Sequence, residues 1–245
     1  MDVQNFQTNA NTFFGRVIQM AEEAFSTAER TPFDAALDEL IKEGEKRRKW
    51  AESLVAQTEN MIQPNPALRV EDLILKNMDR KKIRISAGEQ LGDSMNNIGD
   101  LLGARTPGGS ALKTCAASQI KIGQAEQKLQ ETVTKDYIEW LRAYISNEAK
   151  IAKQERENLE TARLDLDRLK TLHKRTKDDK QKDLARQLDE SQLKFDRQCA
   201  ATKRVLEESV AKFDSQKNQL EKLLQAQSDY FRTCMDAVNS ALRDL

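Results

Sequence analysis

The chain has 245 residues, 40 basic and 40 acidic side chains, and a hydrophobic fraction of only 38%. Zero net charge argues against coating nucleic acid by bulk attraction, and no run of about eighteen apolar residues is present to cross a membrane. Nine glycines and four prolines leave few turn signals, which disfavours a sheet protein and suits long amphipathic helices.

In chain order, residues 1–28 read as a first unit. Val3, Phe6, Ala10, Phe13, Phe14, Val17, Ile18, Ala21 and Phe25 fall within one arc of about 160° on a helical wheel. The start has no basic region followed by an apolar core, so it does not read as a secretory signal. Thr31 then offers a helix cap, Pro32 suits a first helical position and Asp34 favours the positive helix end. The second helix carries its stripe on Phe33, Leu37, Leu40, Ile41, Ala51, Leu54, Val55, Met61 and Ile62. Pro64 and Pro66 interrupt it. An apolar half (Val70, Leu73, Ile74, Leu75) and a basic half (Arg80, Lys81, Lys82, Arg84) follow, and helical pattern resumes at Leu91. Because the same long-helix pattern returns, the interruption reads as an amphipathic insert at about 64–88 rather than a linker.

The glycines and Pro107 of "GARTPGG" end this helix, and Ser110 offers the next cap. A helical stripe runs from Leu112 through Ile122, Leu129, Val133, Tyr137, Leu141 and Ile145 towards His173. A charged, non-periodic tip lies at about 170–183. The last helix is close to a strict heptad, on Leu188, Phe195, Cys199, Leu206, Phe213, Leu220, Leu223, Tyr230, Cys234 and Ala237. Helices of roughly 60 residues span about 90 Å. Three in antiparallel order predict an all-α, elongated coiled-coil bundle whose leftover apolar surface calls for a partner chain.

Chemistry is sparse. The single histidine, His173, stands beside Lys174 and Arg175 in a segment that predicts solvent, with no clustered thiols or carboxylates for a metal site. Cys115, Cys199 and Cys234 are far apart and read as small buried residues in a reducing compartment. The expectation is no enzyme, no cofactor and no metal, with function carried by shape and surface. Three surfaces are candidates. Phe6, Phe13, Phe14, Val17, Ile18 and Phe25 suit either a short helix docked on the bundle or insertion into a lipid interface, where each buried apolar side chain contributes about 1.5–3 kcal/mol. Leu73 and Ile74 of the insert suit the same role. Arg16, Arg80, Lys81, Lys82 and Arg84, with Arg168, Lys170, Lys174, Arg175, Lys177 and Lys180 at the tip, suit contact with anionic lipid at about 1 kcal/mol each.

These pieces in this order resemble the N-BAR domain of endophilins, the endophilin B branch above all. The resemblance rests on "TFFGRVIQMAEEAF", "QTENMIQPNPALRVEDLILKNMDRKK", "ARLDLDRLK", "KFDRQCAATKRVLEES" and "LLQAQSDYF". It implies a crescent homodimer (or a heterodimer with a related chain) with a six-helix bundle at its centre, residues 29–245 forming the BAR domain. It also implies a first segment folding as a wedge in the headgroup region of anionic phospholipid membranes, and an insert adding a second wedge. The expected role is binding, sensing and generating curvature in membrane trafficking. The expected place is the cytoplasm, peripheral on endocytic, Golgi, mitochondrial or endosomal membranes, without nucleic acid as partner. Three departures stand out. Thr171 and Leu172 dilute the basic tip, Trp140 stands where the family commonly has a kink-forming proline, and Leu245 is reached without a Src-homology-3 domain that would recruit proline-rich partners. The alternative reading is a coiled-coil scaffold that docks protein partners and never touches lipid.

Overall fold

The computed structural model describes residue 16 and residues 30–77, 85–176 and 180–245, which are helical almost throughout. In chain order the elements are α1 (Ala35–Ile62), α2 (Pro66–Asn77), α3 (Ala87–Leu102), α4 (Pro107–Val133), a π-turn (Thr134–Ile138), α5 (Glu139–Tyr144), a second π-turn (Ile145–Ala149), α6 (Lys150–Arg175), α7 (Lys180–Asp214) and α8 (Lys217–Asp244). No strand occurs among the described residues, and the fold is an all-α helical bundle.

Local chemistry sets most of the boundaries, and it differs from expectation at three of them. Helix α1 begins at Ala35, its first turn closed by Asp38 N–H donating to the Asp34 carbonyl at 3.0 Å, so Thr31 is not its cap. Thr31 is drawn off into a tertiary contact described below. Helix α4 is capped by Thr106, not Ser110: Thr106 Oγ1 accepts from Gly109 N at 3.1 Å and Pro107 opens the helix. The last helix is two: the chain turns at Ser215 and Gln216, where the Gln216 carbonyl accepts from Gln219 N and Leu220 N at 3.0 Å. Helix α3 starts on a reciprocal cap, with Glu89 N donating to Ser86 Oγ at 3.2 Å and Ser86 N to Glu89 Oε2 at 2.8 Å. It ends at Gly103, whose φ of 90° a side chain would strain.

From Pro107 to Arg175 the helical run is continuous, and Trp140 lies in the short α5 between the two π-turns. A π-turn takes one extra residue into the helix. Tyr137 and Ile138 in the first of the two, and Leu141 and Tyr144 in α5, are all at most 2% exposed.

Two compact units divide the chain. The first combines the described part of Met1–Trp50 with Tyr144–Asp214. Its core is Leu37, Leu159, Leu166, Phe195 and Leu206, with Phe33 stacked on Phe195 at 6.1 Å between centroids. Tyr144 packs against Phe213 at 5.4 Å and its hydroxyl meets Ser209 Oγ at 3.3 Å. The second unit combines Ala51–Ala143 with Ser215–Leu245. Val133, Ile138 and Ala226 form its core with Val55, Ile62, Leu129 and Leu223 around them. Helix α3 returns antiparallel along α4 at very close range. A Cβ on Gly109 would lie 2.2 Å from the Gly103 carbonyl oxygen, and one on Gly123 would lie 2.1 Å from Ser86 Oγ.

Candidate functional site

The insert is built by its own sequence. Pro64 and Pro66 cannot donate hydrogen bonds and hold the residues before them extended, which ends α1. Asn65 Oδ1 then accepts from Ala67 N at 3.0 Å, capping α2, and Pro66 occupies its first position. Arg69 reaches back from α2: its Nη1 donates to Gln63 O at 2.7 Å, to Asn60 Oδ1 at 3.1 Å and to Pro64 O at 3.3 Å. The last turn of α1 has no basic side chain of its own, so Arg69 supplies the cation at the negative helix end. Beyond this joint, Val70 and Ile74 are 57% and 52% exposed. Leu73 stands between them in α2, where its side chain is outside the description. Arg80, Lys81, Lys82 and Arg84 lie outside the described residues.

In the first unit, "RLDLD" on α6 is mostly interior. Arg163 and Asp167 are 4% and 0% exposed and pair at 3.0 Å, with Glu160 on the other side of the guanidinium at 2.9 Å. Asp167 also accepts from Thr31 N at 3.1 and 3.2 Å and from the Thr31 hydroxyl. Lys170 Nζ donates to Thr31 Oγ1 at 2.8 Å. One residue pair away, Asp165 receives Arg16 in a two-pronged ion pair, Nε to Oδ1 at 2.8 Å and Nη2 to Oδ2 at 2.6 Å. That bond holds Arg16 in its charged form above the usual arginine range. The motif thus ties residues ahead of α1 to α6 at two points, Arg16 and Thr31. Phe6, Phe13, Phe14, Val17, Ile18 and Phe25 lie outside the described residues.

The tip cations divide by position. Arg168 is half-buried, with Nε buried and without a hydrogen-bond partner among the described residues. Lys170 is engaged as above. Lys174 and Arg175 are exposed in the last turn of α6, where cations suit the helix end. Lys177 lies outside the described residues, and Lys180 opens α7, its side chain outside the description. His173 is half-buried in the same turn.

The second unit carries a feature that the heptad reading passed over. Helix α8 exposes Leu224, Phe231, Met235, Val238 and Leu242, from 41% to 65%. Steps of 7, 4, 3 and 4 make them one seam, distinct from the stripe holding Leu223, Ala226 and Ala237. In the same unit α3 exposes Leu91, Ile98, Leu101 and Leu102, and α1 exposes Met61. The alternation of two stripes on α8 was present in the sequence, but the expected heptad accounted for only the inward one.

Elsewhere in the second unit, an open groove between α4 and α8 is lined by Lys121, Lys128 and Lys222 beside Asp136 and Asp229. Lys222 lies 3.8 Å from Asp136, and the three lysines exceed the two aspartates by one charge. No group of three His, Cys, Asp or Glu residues suited to a metal ion occurs among the described residues, and none of their helices is long and apolar enough to cross a membrane. The three cysteines are free and half-buried, and burial pushes the Cys199 thiol up.

A family model described as BAR domain matches residues 8–245. Endophilin-B1 of Rattus norvegicus is 34% identical over 235 residues, covering 95% of this chain and 64% of that protein. Endophilin-B2 of Homo sapiens is 28% identical over 264 residues, covering 95% of this chain and 67% of that protein. The chain therefore spans about two thirds of the length of these curated relatives. A BAR protein from Galdieria sulphuraria superposes with a TM-score of 0.51 at 11% identity, over 86% of this chain and 98% of that one, a likeness of fold alone.

Proposed function

Since the chain belongs to the BAR domain family, we propose that it works as a dimeric scaffold that binds, senses and generates curvature on anionic membranes. No catalysis is needed: a shaped surface and shallow wedges are sufficient to bend a bilayer. The observation that carries the reading is the insert. Its apolar residues Val70 and Ile74 are left more than half exposed on a helix whose base is tied down by Asn65 and Arg69. An apolar face held out on a fixed helix is what shallow insertion into an interface requires. Arg80, Lys81, Lys82 and Arg84 follow it in sequence and supply attraction to anionic headgroups. The exposed seam of α8, with the apolar residues of α3, takes the second copy. Phe6, Phe13, Phe14 and Phe25 form a further wedge, and Lys174 and Arg175 contact lipid at the tip.

Co-sedimentation with phosphatidylserine-containing vesicles, followed by electron microscopy, tests this. The expected result is binding and tubulation that weaken as salt is raised. Phe13→Glu abolishes vesicle binding and leaves the dimer intact. A wild-type chain that neither sediments with nor deforms such vesicles at moderate salt refutes the reading. A second reading, a coiled-coil scaffold that docks proteins without lipid, draws support from Arg16, whose charge is engaged by Asp165. Under it, Phe13→Glu leaves lipid behaviour unchanged.

A further inference from the structure

We propose that Arg69 is the positioning residue of the insert: by bonding α2 to the end of α1, it aims Val70 and Ile74 at the surface they enter. The inference rests on the membrane reading above and deepens it. Three observations converge. One guanidinium nitrogen of Arg69 lies within 3.3 Å of three acceptors, Gln63 O, Pro64 O and Asn60 Oδ1, all at or just beyond the end of α1. The joint has no slack elsewhere, since only Gln63, Pro64 and Asn65 separate the two helices and Asn65 is committed to the Ala67 amide. Finally, at 100° per residue, Val70 and Ile74 stand about 100° and 140° around α2 from Arg69. With Arg69 turned to α1, both apolar side chains are turned away from it, in accord with their exposure.

Without the clamp, α2 remains helical through its own cap, but its rotation about the Gln63–Asn65 joint is no longer fixed. Arg69 is thereby spent on protein acceptors. It directs the apolar face and leaves binding to others.

The test places an environment-sensitive fluorophore on Ile74→Cys in a chain whose Cys115, Cys199 and Cys234 are alanine. The vesicles contain two parts phosphatidylcholine to one part phosphatidylserine. In the Arg69-intact chain the label shifts to the blue on binding. Arg69→Ala and Asn60→Ala are each expected to keep helicity and vesicle sedimentation. Each reduces the blue-shifted fraction and tubulation, by about fivefold for Asn60→Ala, the factor to which one lost hydrogen bond corresponds, and by more for Arg69→Ala, which loses all three contacts. Asn60→Ala carries the test alone if Arg69→Ala does not fold. Insertion by Arg69→Ala at the wild-type level overturns the proposal. So does full rescue by Arg69→Lys with no effect of Asn60→Ala, because charge alone would then suffice. Failure of the Arg69-intact chain to insert overturns the wedge reading itself, and so separates the two failures.

Discussion

Arg163 and Asp167 form the most consequential pair in the first unit, because both charges are almost wholly removed from water. A buried pair adds little net stability, but deleting one partner leaves the other uncompensated. Asp167→Ala leaves Arg163 with only the more exposed Glu160, and is therefore expected to cost about 3 kcal/mol by urea unfolding, the low end for a broken buried pair. Thr31→Val, which removes a hydroxyl bridging Asp167 and Lys170, is expected to cost nearer 1 kcal/mol. Equal costs would mean that the carboxylate matters only as a partner of Thr31. Tyr137 offers a pH test. Burial alone raises its phenol above the ordinary value of 10.0. A group raised in the folded state contributes its stability fully below the unfolded value and loses it as pH climbs through the folded one. Unfolding should therefore set in above about pH 10, and Tyr137→Phe should move that midpoint upward when followed by circular dichroism. At this scale the sequence showed that "RLDLD" was specific but not why. A composition of alternating charge and leucine looks like a solvated face; Leu166 is interior through Leu37, Phe195 and Leu206, and Asp167 finds its partner in Thr31, 136 residues away.

At the scale of elements, the close pairing of α3 with α4 depends on missing side chains. Gly109, Ala116 and Gly123 on α4 recur at an interval of seven residues, Ala116 at no exposure, and Gly92 and Gly99 answer on α3. A Cβ at Gly109 meets backbone at 2.2 Å and 2.8 Å, which cannot yield without moving a helix, whereas the contacts at Gly123 include the side chain of Ser86. Gly109→Ala is expected to destabilise by roughly 1–3 kcal/mol, read as a lower thermal midpoint, and by more than Gly123→Ala. Helix existence was legible from periodicity, but the caps were read less well. Thr31 and Ser110 are acceptable caps by type and lost the role to tertiary demand and to a better-placed Thr106. The π-turns on either side of the segment holding Trp140 were not legible at all. A π-turn has no residue signature of its own, and the adjacent burial of Tyr137 and Ile138 was the only trace it left.

At the scale of the whole molecule, the second unit poses a problem that its own atoms do not solve. Leu224, Phe231, Met235, Val238 and Leu242 form one exposed seam on α8, and Leu91, Ile98, Leu101 and Leu102 are exposed on α3. Scattered surface leucines need no explanation, but an aligned set does. In a two-fold pair each copy contributes its seam, so ten such side chains are covered, each adding at most about 1.5–3 kcal/mol against an association cost of roughly 4–15 kcal/mol. Phe231 and Met235 are adjacent on the seam at i and i+4, and neither belongs to the unit's own core. Phe231→Glu with Met235→Glu is therefore expected to leave helicity intact while converting a dimer at micromolar concentration into a monomer by sedimentation equilibrium. On the proposed membrane reading two copies are needed to present the cations together, so the same variant should lose most vesicle sedimentation. Its insert, still clamped by Arg69, is untouched. A monomeric variant that binds and tubulates vesicles like the wild type would separate dimerisation from membrane bending and leave the seam to a different partner. A variant that stays dimeric would move the interface from α8 to the apolar residues of α3, where Leu101 at 87% exposure is the next residue to change.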